Sequence, residues 1–123
     1  MQFTGLQLSS LIKMAMSIAS ADGKFLDEEK AAIILGMAEF GLDKEGVTGC
    51  LIVARDMEPA QALGVLSGMS TEQKKYATGY LAFVMAADGD VDDSEVKMWQ
   101  LISTIAGFPT MNIKEALDFW KSH

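Results

Sequence analysis

Ala21-Asp22-Gly23-Lys24-Phe25-Leu26-Asp27-Glu28-Glu29 and Ala87-Asp88-Gly89-Asp90-Val91-Asp92-Asp93-Ser94-Glu95 write one pattern twice, 66 residues apart. Ala21-Asp22-Gly23 falls on Ala87-Asp88-Gly89, Asp27 on Asp93 and Glu29 on Glu95. The register persists outward: Ile18 meets Val84, Phe25 meets Val91, Leu35 meets Leu101, Gly41 meets Gly107 and Leu51 meets Leu117. So many matches at a single offset predict an internal duplication.

Around both motifs the signals are helical. Pairs in which Ser, Thr, Asp or Asn is followed three residues later by Glu or Gln occur at Thr4/Gln7, Ser70/Gln73, Asp92/Glu95 and Asn112/Glu115. Each such pair lets two side chains satisfy two of the free N–H groups that open a helix. Gly23, Gly41, Gly89 and Gly107 follow periodic segments, where a left-handed residue closes a helix without steric cost. Pro59 suits a first helical turn. The pattern predicts helices near 5–21, 27–40, 44–56, 59–68, 71–87, 93–106 and 112–121, and no stretch alternates with the period of a strand. Apolar stripes are expected along Leu11, Met14, Ala15 and Ile18 and along Val96, Trp99, Ile102 and Ile105. The expected fold is a single all-α domain, a seven-helix bundle. Two pseudo-repeated three-helix units, about 5–56 and 71–121, are joined by a connector helix at about 59–68. One unit cannot bury both of its apolar faces, so the halves should pack about a pseudo-two-fold axis.

Composition narrows the chemistry. Half of the 123 residues are apolar, enough to form a core, and 17 acidic against 10 basic residues give a net charge of −7. That balance speaks against nucleic acid and anionic membranes as partners. Cys50 is the single cysteine, so a disulfide scaffold and a Cys-rich zinc site are excluded. Cys50 is expected to be a buried thiol, and Met14, Met37, Met85 and Met98 core filler. Trp99 and Trp120 are expected to be partly buried. His123, the single histidine, is the last residue, which leaves almost nothing for a His-based catalytic site or a His-ligated metal. With no apparent nucleophile, cofactor motif or phosphate-cradling glycine loop, an enzyme is not expected. The longest apolar run, Tyr80 to Ala87, is too short to span a bilayer, and no signal peptide is recognisable, so a cytoplasmic protein is expected.

The chemistry that remains lies in the acidic turns. Asp88, Asp90, Asp92, Asp93 and Glu95 put five carboxylates into eight residues. Hard oxygens at that density suit Ca²⁺ or Mg²⁺. Asp22 and Asp88 are expected at helix C-termini, where the dipole disfavours an anion, whereas Glu29 and Glu95 open the next helix, where it favours one. Two readings follow: local capping of free N–H groups, or a divalent cation held weakly, with several waters kept. An EF-hand is excluded, because Asp93 stands where its loop needs glycine and Trp99 where it needs the bidentate glutamate.

The doubled Ala-Asp-Gly-x-x-x-x-x-Glu signature on an all-helical scaffold resembles the TerB-like family, tellurite-resistance proteins and their relatives, from Leu11 to Trp120. That resemblance implies a seven-helix bundle of two related halves, divalent-metal binding by clustered acids, and a link to stress and tellurite resistance. Carried over by position, the residues are Asp22 and Glu29, then Asp88 and Glu95. The first copy departs from the second in placing Leu26 where the second has Asp92. Related domains also occur in membrane-anchored J-domain cochaperones, but no His-Pro-Asp triplet is present and that role is not carried over. The expected function is a small TerB-like module that binds Ca²⁺ or Mg²⁺ through Asp88, Asp90, Asp92 and Glu95, with Asp22 and Glu29, and acts through protein partners. The alternative is a metal-free interaction module whose acids are caps and a docking face.

Overall fold

A computed structural model describes residues 2–21, 23–87 and 89–122. The helices are α1 (Gly5–Ala19), α2 (Asp27–Glu39), α3 (Lys44–Asp56), α4 (Pro59–Ser67), α5 (Thr71–Met85), α6 (Asp93–Ala106) and α7 (Ile113–Ser122), with no strand among the described residues. Among the described residues no helix is long and apolar enough to cross a membrane.

Local chemistry places the ends. Thr4 and Gln7 exchange hydrogen bonds of 2.9 and 3.0 Å, Ser70 and Gln73 of 2.9 and 3.1 Å, and Asn112 and Glu115 of 3.0 and 2.8 Å. The four expected glycine stops all have positive φ, between 71° and 86°. At Gly107 the motif is complete, with the Phe108 N–H donating to the Ser103 carbonyl at 2.9 Å. α1 and α5 end two residues earlier than the pattern predicts, at Ala19 and Met85 rather than 21 and 87. There the chain tightens into three-residue turns, Ala21 N–H to Ile18 O at 3.0 Å and Ala87 N–H to Val84 O at 3.2 Å, which satisfy the last carbonyls outside the α-helix.

α1 and α5 form the centre. Leu11, Ile12, Ala15 and Ile18 of α1, with Tyr80, Leu81, Val84 and Met85 of α5, are fully enclosed. α1 packs on α2, α3, α4, α5 and α6, while α5 packs on α1, α2, α6 and α7. The two run parallel. At one end the Gln73 side-chain amide donates to Gln7 Oε1 at 3.3 Å and to the Gln2 carbonyl at 2.8 Å. Beyond the other end the Lys24 ammonium lies within electrostatic reach of Asp92. Both acidic turns therefore lie at the same end of the molecule.

One layer out, aromatic rings tie α2, α5 and α7 together. Phe40 lies 5.6 Å from Tyr80 and 5.5 Å from Trp120, and Phe83 stacks on Trp120 at 5.7 Å. Tyr80 donates its hydroxyl to the Ile33 carbonyl at 3.0 Å. Gly36 on α2 makes this contact possible, because a Cβ there would lie 2.7 Å from Tyr80 Cδ1 and against Cε1 as well.

The core corrects two expectations. Ile105, expected on the α6 stripe, is 54% exposed, and Ala106 takes the inward position. Three successive steps of three residues fall 60° behind each time, so Ile105 is turned half-way round from Val96, whereas Ala106 lies between Trp99 and Ile102. Trp99 is 3% exposed, more enclosed than expected, while Trp120 and Met98 are half-buried. Cys50 is buried, as its position among apolar neighbours indicated.

Candidate functional site

Each acidic turn leads into a helix through the third residue after its glycine. In the second turn Asp92 is the N-cap of α6, and its Oδ1 accepts from the Ser94 N–H at 2.8 Å. Glu95 reaches back to the Asp92 N–H at 3.4 Å. In the first turn Leu26 stands at the N-cap and offers no acceptor, so only half of the arrangement survives: Glu29 Oε1 accepts from the Leu26 N–H at 3.1 Å.

Both glutamates are enclosed, at 3% exposure each. Glu29 leads the buried stripe Ala32, Ile33, Gly36 and Met37 of α2, and Glu95 leads Trp99, Ile102 and Ala106 of α6. That phase was readable in the sequence: a carboxylate in register with an apolar stripe points inward. Glu29 Oε2 is buried with no hydrogen-bond partner. An ionised oxygen in that position costs free energy unless a proton or a cation reaches it.

The other acids point elsewhere. Asp90, Asp93, Asp27 and Glu28 are exposed, and Asp27 lies 3.8 Å from Lys30. Lys30 in turn sits 5.3 Å above the Phe25 ring. Asp22 and Asp88, expected as metal ligands, lie outside the described residues. Among the described residues no three Asp, Glu, His or Cys side chains gather as a metal-ligating group. The turns thus bring Glu29 and Glu95 into like positions at one end of the fold, hold Asp92 as a cap and leave Asp90 in solvent.

Hydrogen bonds from Ser94, backbone first and then side chain, hold the Asp92 carboxyl below the usual carboxylate range, and the Lys24 charge adds to this. A lowered folded-state pKa means that the contribution of Asp92 to stability is present above its ordinary value of 3.8 and is lost as pH falls below it. Melting temperature measured against pH is therefore expected to fall less steeply on the acid side for Asp92→Asn than for the natural chain. Equal slopes would remove Asp92 from the acid response.

No protein-family model matches the chain, and neither does any curated protein. Among solved structures it is similar to the crystal structure of a protein of unknown function, PG1108 from Porphyromonas gingivalis W83, with 40% sequence identity and a TM-score of 0.89. The likeness covers 98% of this chain and 92% of that one. Identity at that level over nearly the whole of both chains extends to sequence as well as fold, and the chain belongs to the same family as PG1108.

Proposed function

We propose that the chain is a TerB-like module that holds a divalent cation at the end where its two acidic turns lie, and that it acts through protein partners in a stress or tellurite response. The observation that carries this reading is the buried Glu29 carboxylate with one oxygen lacking a hydrogen bond. A cation-sized charge is the direct remedy for such an oxygen. Glu29 and Glu95, with Asp22 and Asp88 of the same turns, are the residues that would hold the ion. When bound, the ion would neutralise the enclosed carboxylates and tie the two turns together. The inward glutamates hold the Leu26 and Asp92 amides, and so keep the carboxylates oriented in its absence.

Duplication about a pseudo-two-fold axis belongs to the same reading. It is supported by the paired caps, by the hydrogen bond between Gln7 and Gln73, 66 residues apart, and by reciprocal packing, α1 on α6 and α5 on α2. Partner binding is supported by large apolar side chains left in solvent on the outer faces of α2 and α6, Leu35 at 64% exposure and Leu101 at 54%, with Ile34 and Ile105 beside them.

Calorimetry and thermal unfolding with Ca²⁺, Mg²⁺ and Mn²⁺ test the cation. At 1 mM ion, a dissociation constant of about 0.1 mM is expected to add about 1.4 kcal/mol of stability, and Glu29→Gln is expected to abolish the gain. No heat with any of the three ions, together with an unchanged melting temperature, would leave the acids as caps and a docking face. That metal-free reading is favoured by Asp92, whose Oδ1 is taken by Ser94.

A further inference from the structure

The C-terminal half of α6 borders a groove that begins at Trp99, one helical turn beyond Glu95. The groove, of about 520 Å³, runs along the end of the helix and the segment after it, lined by Trp99, Ser103, Gly107, Phe108, Pro109 and Met111, among others. That volume lies within the range of small-molecule sites. Two polar atoms of its lining residues are unusual. Trp99 Nε1 and Ser103 Oγ, one helical turn apart, are both buried and neither has a hydrogen-bond partner. Indole nitrogen can only donate, and leaving a buried donor unpaired is unfavourable. At the positions 66 residues earlier stand Ile33 and Met37, buried and apolar, so a helix of this kind fills the same place without any polar group.

A third donor borders the groove. Lys74 of α5 brings its ammonium to Gly107, where a Cβ would lie 3.4 Å from Nζ. Lys74 takes part in neither the Lys30–Asp27 nor the Lys114–Asp118 ion pair. An ammonium here also offsets the negative end of the α6 dipole, which would otherwise repel an anion.

We propose that this groove binds a small carboxylate with an apolar body. Three donors and a formal positive charge call for a ligand end that only accepts, which is what an ionised carboxylate supplies. Phe108, Pro109 and Met111 offer the apolar wall for the rest of the molecule. Both atoms, Trp99 Nε1 and Ser103 Oγ, lie just beneath the groove wall, so binding requires Trp99 and Ser103 to shift toward the ligand as it enters. No carboxylate of the acidic turns is among the groove's lining residues, so the proposal does not rest on the cation reading.

Isovalerate, benzoate and indole-3-acetate, titrated into the full chain, are the probes, and the indole N–H resonances of Trp99 and Trp120 are the readout. All three are carboxylates of graded apolar size, and benzamide is the uncharged counterpart of benzoate. The expected result is a saturable shift of the Trp99 resonance with at least one carboxylate while Trp120 stays in place. Benzoate should bind about tenfold more tightly than benzamide, and Lys74→Met should remove about that factor for benzoate alone. Ser103→Ala is expected to weaken every ligand that binds, by several-fold. If no carboxylate shifts the Trp99 resonance, or if benzamide matches benzoate in the natural chain, the proposal is overturned. Both comparisons use the unsubstituted protein and so hold even where a variant fails to fold.

Discussion

Tyr80→Ala is expected to lower the stability of the fold by about 4 kcal/mol, the upper part of the range for large aromatic truncations in a core. The ring is fully enclosed, with α2 and α7 neighbours beside it, and lies against the rings of Phe40 and Trp120 at 5.6 and 5.8 Å. Burial pushes its hydroxyl above the usual tyrosine range, so at neutral pH it is protonated and donates to Ile33. Alanine would remove both the filled volume and the side-chain hydrogen bond from α5 to the Ile33 carbonyl of α2. For a domain whose total stability is of order 5–15 kcal/mol, this is a large fraction. Urea unfolding followed by circular dichroism measures it, and a loss under about 1 kcal/mol would mean that the ring is not packed as described.

The companion experiment approaches the contact from the other side. Gly36→Val is expected to destabilise by about 3 kcal/mol, because its Cβ meets the Tyr80 ring and the two helices must separate. The sign depends on the partner. In a Tyr80→Leu background the flat ring is gone, and Gly36→Ala should become neutral or stabilising by up to about 1 kcal/mol, the ordinary gain of alanine over glycine inside a helix. A coupling energy near zero across the Gly36/Tyr80 cycle would show that the glycine serves some other purpose.

What could be read in advance follows the range of the interactions. Caps such as Thr4/Gln7 and Asn112/Glu115 involve residues three apart, and the glycine stops need only a local φ, so both were legible. The stripe ending at Ile105 was misplaced because a spacing of three drifts around the helix, and only the alternation of threes and fours keeps to one face. Burial of Glu29 and Glu95 was implicit in their phase, but the unpaired Glu29 oxygen depends on what surrounds it and had no sequence signature. The same holds for Gly36 against Tyr80 and for Lys74 against Gly107, pairs brought together only by helix packing. Asp92 was legible as a cap, and its Oδ1 accepts from the Ser94 N–H at the start of α6.

Parallel placement of α1 and α5 has a consequence for biosynthesis. The Leu11, Ile12 and Ile18 faces meet their α5 partners only after 66 further residues have been added. At roughly 5–20 residues per second a ribosome takes about 3–13 s over that stretch. In the interval the hydrophobic side of the first helix depends on α3 and α4, which are made earlier and pack on it directly. A nascent chain halted before Lys44 lacks that shelter, and is the species that holdase chaperones would be expected to capture.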